Sequence, residues 1–265
     1  SINCLDSLVE IIATVSDASN FDFEWTTPNG NYVADTFTLS PIVDTEGFYE
    51  LSVINNVNGC SSSLTIPVIE DYDYPIVDMG PPGELNCYDP QYTIDATSSS
   101  GGPNFNYDWA TADGNIVSGD GTLEPVVDEG GLYTLIITNT DNQCKDTSSI
   151  QITVNQFDPI AIAGPDDLLG CWSPTIIIDG SESSSGHSIV FEWLTDDGII
   201  VGSTNNSIIE ISAGGNFTLT VTDTLNGCKD VDEVFVLEDF VAPEIGTGPG
   251  GEINCTDLSI PLDGT

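Results

Sequence analysis

Apolar side chains fall on every second position in many short runs of this chain. In "FDFEW", Phe21, Phe23 and Trp25 alternate with Asp22 and Glu24; the alternation returns at Phe105, Tyr107, Trp109 and at Ile189, Phe191, Trp193. A period of two predicts a strand with one face buried. A second such run, "GFYELSV", directs Tyr49, Leu51 and Val53 inward, and its copies direct Tyr133, Leu135, Ile137 and Phe217, Leu219, Val221. Further β-rich runs, "LTIPVI", "SIQITV" and "EVFVLE", follow, and "YTIDA" and "TIIIDG" come earlier in two of the copies. No segment carries a helical stripe. Many short strands separated by turn residues predict an all-β sandwich.

The strands repeat at a fixed interval. Trp25, Trp109 and Trp193 lie 84 residues apart, as do Cys60, Cys144 and Cys228, while Cys4, Cys87, Cys171 and Cys255 follow at 83, 84 and 84. The first copy is thus one residue shorter between its cysteine and its tryptophan, a loop deletion. Gly30, Gly114 and Gly198 stand five residues after the tryptophans, and Gly47, Gly131 and Gly215 two before Tyr49, Tyr133 and Phe217, marking turns. A period of this size predicts tandem domains, at 1–74, 75–158 and 159–242, with the start of a fourth at 243–265. They meet at Pro75, Pro159 and Pro243, each followed by an apolar run and a Gly-Pro pair, with no long linker. The expected fold class is therefore all-β, tandem immunoglobulin-like sandwiches in a semi-rigid rod.

Charge narrows the partners. Against 43 acidic residues stand only Lys145 and Lys229, a formal net charge of −41. Phosphate backbones and anionic lipid surfaces are repelled, so neither nucleic acid nor membrane is an expected partner. No apolar span of 18 or more residues occurs. The chain opens on Ser1 without Met or signal peptide and reads as a segment of a longer mature protein. Of the acids 28 are Asp, the residue of turns and calcium loops.

Seven cysteines make three pairs and leave Cys255 over, without C-x-x-C metal spacing. If the first strand ends beside the start of a parallel last strand, Cys4 pairs with Cys60, Cys87 with Cys144 and Cys171 with Cys228. The alternative joins Cys60 to Cys87 and Cys144 to Cys171 across the boundaries, and a third reading leaves all seven as buried thiols. Either disulfide pattern implies an oxidising, extracytoplasmic setting.

"PIAIAGPDDL", "IIIDGSESSS", "FEWLTDDGIIV" and "GGNFTLTVTDTLNGC" resemble the strands of polycystic-kidney-disease-type (PKD-like) immunoglobulin-fold repeats. The NGC-bearing form resembles tandem repeats of giant cell-surface proteins from gliding, Bacteroidota-type bacteria. That resemblance implies export across two membranes by the type IX route, a place on the bacterial cell surface, and use as a stalk, adhesin or extracellular filament, hook-like appendages for catching cells included. The sequence departs from the pattern at Ile12, which stands where Asp95, Asp179 and Asp263 occur, and in having "PNG", "ADG" and "DDG" for the usual "GDG".

Candidate chemistry is sparse. Glu70, Asp71, Glu238 and Asp239 sit at unit boundaries and are candidate calcium ligands, although Val154 and Asn155 take their place at the middle boundary. His187 is the one histidine, in a serine-rich turn, and no nucleophile, base and orienting group are spaced as a catalytic set. Lys145 and Lys229 follow the second cysteine and are expected to offset local charge. Trp172 is expected to cover the disulfide of Cys171, with an exposed contact as the alternative. The sequons at Asn205, Asn216 and Asn254 carry little weight if the source is bacterial, as the resemblance implies. The expected function is a non-enzymatic shaft segment of a fibre or adhesin, bundled with copies of itself and facing cell surfaces or glycans. The rival readings are a calcium- or aromatic-dependent polysaccharide-binding module and a spacer in a secreted hydrolase.

Overall fold

The computed structural model describes residues 1–16 and 20–244, so Cys255, Asp263 and nearly all of the fourth repeat lie outside the described residues. The chain forms two compact bodies, Ser1–Asn155 and the part from Gln156 onward. The first body holds two β-sandwiches and the second holds one. Every regular element among the described residues is a strand.

The first sandwich comprises β1 (Ile2–Asn3), β2 (Val9–Glu10), β3 (Phe21–Thr26), β4 (Tyr32–Ala34), β5 (Ile42–Val43), β6 (Gly47–Asn55), β7 (Ser61–Val68) and β8 (Glu70–Asp71). Its sheets run β2-β5-β4 and β3-β6-β7, and β1 pairs in parallel with β8. The second comprises β9 (Glu84–Asn86), β10 (Tyr92–Thr93), β11 (Phe105–Thr111), β12 (Ile116–Ser118), β13 (Val126–Val127), β14 (Gly131–Asn139) and β15 (Lys145–Asn155). The third comprises β16 (Asp167–Gly170), β17 (Ile176–Asp179), β18 (Ile189–Thr195), β19 (Ile199–Val201), β20 (Ile208–Ala213), β21 (Gly215–Asp223) and β22 (Lys229–Asp239). In both, one sheet has three strands and the other four: β10-β13-β12 with β11-β14-β15-β9, then β17-β20-β19 with β16-β22-β21-β18. The long sheet closes with a parallel pair between the first and last strands, an immunoglobulin-like arrangement of an all-β sandwich.

The period-two columns form the cores. Trp193 and Phe217 are fully buried in the third core, Tyr49 in the first beside a buried Trp25, and Tyr133 in the second, where Trp109 is half-buried. Each indole N–H donates to a carbonyl 13 residues downstream, Thr38 at 3.0 Å, Thr122 at 2.8 Å and Asn206 at 3.0 Å, which satisfies its one donor. The glycine column has a steric cause: a Cβ on Gly30, Gly114 or Gly198 would collide with the ring of Tyr49, Tyr133 or Phe217. The Asp of the "DA" or "DG" column is a turn former. Asp95 Oδ1 accepts from the Thr97 N–H at 3.0 Å, and Asp179 Oδ1 from the Ser181 N–H at 2.9 Å.

The apolar runs after Pro75 and Pro159 are lead segments that close their sandwiches without joining a ladder. Pro75 and Met79 face inward with half-buried Val77 between them, and Pro159, Ala161 and Ala163 do the same in the third repeat. Side chains supply the missing backbone partners. Ser100 and Ser99 Oγ accept from the N–H groups of Ile76 and Asp78, both at 2.9 Å, and Ser184 and Ser183 from those of Ile160 and Ile162. From the other sheet Asp146 accepts from Val77 N–H, and Asp230 from Ala161 N–H.

Candidate functional site at the repeat joint

Strand direction decides where the cysteines lie. β9 runs parallel to β15 with Asn86 opposite Asn155, so Cys87 stands beside the end of the last strand. Cys144 immediately precedes the start of that strand, whose 11 residues at about 3.3 Å each separate the two by more than about 35 Å. A disulfide needs Cα atoms within about 7 Å. Pairing Cys87 with Cys144 is therefore excluded, and the same geometry excludes Cys4 with Cys60 and Cys171 with Cys228. The bond that forms joins Cys4 of the first repeat to Cys144 of the second, with Cα atoms 4.9 Å apart. Cys87 and Cys228 are disulfide-bonded as well, whereas Cys60 and Cys171 are free and exposed. The boundary alternative, Cys60 to Cys87 and Cys144 to Cys171, fails on the same facts.

The joint between the first two repeats is more than one bond. Each second cysteine closes an Asn-x-Cys turn in which the Asn Oδ1 accepts from the Cys N–H, at 3.0 Å for Asn58, 3.0 Å for Asn142 and 2.9 Å for Asn226. The middle residue is left-handed, with φ of 74° at Gly59, 62° at Gln143 and 75° at Gly227, which explains the glycine of "NGC". The turn leaves the Asn142 amide pointing at the first repeat's exit. Asn142 Nδ2 donates to Asp71 Oδ1 at 2.7 Å and to the Asp73 carbonyl at 3.1 Å, while its own carbonyl accepts from Cys4 N–H at 3.2 Å. Asn139 Nδ2 adds a bond to Asp73 O at 3.3 Å. In the second body the pattern recurs, Asn226 Nδ2 donating to the Phe157 carbonyl at 3.0 Å.

The calcium candidates are engaged in hydrogen bonds. Asp71 takes the Asn142 amide, Glu70 Oε1 accepts from Glu46 N–H, Glu238 Oε1 from Gly214 N–H at 2.6 Å, and Asp239 Oδ1 from Val241 N–H at 3.1 Å. Among the described residues, none of the four belongs to a cluster of three or more close metal-ligating side chains. Trp172 covers no disulfide, because Cys171 is a thiol and the indole is 100% exposed. His187 is exposed in its turn. Asn142, Asn226, Asp146 and Asp230 were not singled out from sequence; the signal for them was the invariant Asn two residues before each second cysteine, and the "CKD" that two of the three repeats share.

No protein-family model matches the chain. It is similar to the mouse dyslexia-associated protein KIAA0319-like protein, 28% identical over 259 residues that cover 89% of this chain and 23% of that protein. The human dyslexia-associated protein KIAA0319 is 23% identical over 206 residues, 70% of this chain and 19% of its own length. The chain thus spans about a fifth of the length of the curated relatives it matches. Among solved structures, an I-band fragment of titin aligns with 84% of this chain and 89% of its own at 12% identity and a TM-score of 0.39. The chain is a string of immunoglobulin-like modules, and its disulfides place it in an oxidising, extracytoplasmic setting.

Proposed function

We propose that the chain is a non-catalytic shaft segment of an extracellular bacterial fibre or adhesin, of the kind that forms hook-like appendages. The observation that carries this reading is the bond from Cys4 to Cys144, which ties one repeat to the next and leaves no disulfide within either. A disulfide inside a module, as in antibody domains, stabilises that module alone. One that crosses a joint transmits load between neighbours and limits their reorientation, as a part under tension requires. The amide of Asn142 seals the same joint without water having to supply the partners. Export by the type IX route and side-by-side bundling of several shafts complete the proposal, in keeping with the resemblance of the NGC-bearing repeats.

Small-angle scattering on the oxidised chain tests it. Three sandwiches in series, each about twice a 17–20 Å strand in length, predict a maximum dimension above about 100 Å. A dimension near 60 Å, or hydrolysis of a polysaccharide by this segment alone, would overturn the reading.

A further inference from the structure

The first sandwich lacks a filling that the other two possess. In the second and third repeats the lead segments 75–79 and 159–163 bury Met79, Ala161 and Ala163 in the cores. Ser1 aligns with Glu84, so the matching positions of the first repeat fall upstream of Ser1. At the corresponding place the first sandwich carries an open groove of about 730 Å³, walled by Ala13, Val15, Leu51, Val53, Cys60 and Leu64.

Comparison along the columns shows what the groove is. Val53 is half-buried, whereas Ile137 and Val221 in its column are fully buried. Ile66 is half-buried, against 6% exposure for Ile150 and 1% for Val234. Asn58 is exposed, whereas Asn142 and Asn226 are buried against linker carbonyls. Cys60 is an exposed thiol, whereas Cys144 is buried and bonded. Groove, amide and thiol coincide with the three parts of the joint already formed between the first and second repeats.

We propose that this pole of the first sandwich is a socket for one more repeat of the same module, lying directly upstream in the same polypeptide. The lead segment that joins that repeat to Ser1 fills the groove, the linker carbonyl before it accepts from the Asn58 amide, and the upstream repeat's first-column cysteine bonds Cys60. Cys171, free and in the column of Cys4, is the complementary half and takes the second-column cysteine of the repeat that follows. In each bond two thiols lose two protons and two electrons to an external disulfide, which leaves as two thiols. Ser62 replaces the carboxylate of Asp146 in this socket, so the lead segment's N–H meets a hydroxyl there. The proposal stands on the geometry of the joint and does not depend on the shaft reading.

The test places a copy of residues 1–83 in front of Ser1, which recreates the register of the existing joint, and oxidises the extended chain with glutathione disulfide. Peptide mapping should join the added copy's first-column cysteine to Cys60, and alkylation of Cys60 should slow by more than about tenfold, with the bond from Cys4 to Cys144 as internal control. In the same extended chain carrying Cys60→Ser, the amides of Leu51–Val53 and Ser62–Leu64 should still exchange about tenfold more slowly than in the chain without the extension, because the groove is filled with or without the bond. Unchanged alkylation and unchanged exchange would overturn the proposal. Recovery of Cys60 joined to Cys171 of a second molecule would also overturn it, making another copy the occupant.

Discussion

Tyr49 and Tyr133 each bury a hydroxyl and satisfy it twice. The Tyr133 hydroxyl donates to the Glu129 carbonyl and accepts from Asn115 N–H at 3.0 Å, and Tyr49 does the same with Thr45 and Asn31. Around them Asn115 donates to Asp128, and Asn31 to Asp44. The third repeat has Phe217, Ile199 and Ser212 in those columns, so the polar set is exchanged as a unit, and Ile199 instead pairs with Ala213 in the sheet. Tyr133→Phe alone should therefore destabilise the second sandwich by about 1–3 kcal/mol, the cost of orphaned backbone groups, as read by denaturant unfolding. Burial pushes the pKa of both tyrosines above the usual value. A raised folded value means the stabilisation is complete below the unfolded pKa of about 10 and is lost as pH climbs through the folded one. Melting temperatures of the first two sandwiches should fall at alkaline pH, and Phe217 should spare the third this loss; equal alkaline sensitivity of all three would contradict it. Asn142→Ala should loosen the joint, seen as faster amide exchange at Asp73 and Cys4 with the sandwich cores unchanged.

At the scale of elements, alternation and the 84-residue columns made the strands and the inward side chains legible, because both depend on periods that a sequence displays directly. The cysteine partners were not legible by the same means. Parallel pairing of the first and last strands sets the first strand's end beside the last strand's end, as Asn86 opposite Asn155 shows, and the second cysteine lies at the opposite pole. A column says which residues are equivalent, and a bond between repeats joins residues that are equivalent to nothing within their own repeat. The Asn-x-Cys turn offers a test on this scale. Gln143 holds φ of 62° where Gly59 and Gly227 have glycine, so Gln143→Gly should raise stability by up to about 1 kcal/mol, the relieved left-handed cost less the added unfolded-state entropy. A lower melting temperature would show that the bond from Gln143 to the Thr140 carbonyl, at 2.9 Å, outweighs the strain.

For the whole molecule the net charge of −41 sets the conditions of use. With a Debye length of about 30 Å at 0.01 M salt and 3 Å at 1 M, self-repulsion is nearly removed at high ionic strength, so melting temperatures should rise across that range. Flat melts would remove charge from the account. The socket on the first sandwich was not legible in the sequence, since it shows as differences in burial between Val53, Ile66, Asn58 and Cys60 and their column-mates. The disulfide closes a stretch of 140 residues, and on the chain-entropy model stabilises by about 5 kcal/mol. Its effect is mechanical: load entering near Ser1 passes from Cys4 directly to Cys144, and the residues between carry no extension. Single-molecule stretching between the termini, before and after reduction, tests this most directly. The reduced chain should unfold to a contour length greater than the oxidised one by at least about 400 Å, the length of the released segment at about 3.3 Å per residue. Equal contour lengths in the two states would contradict it.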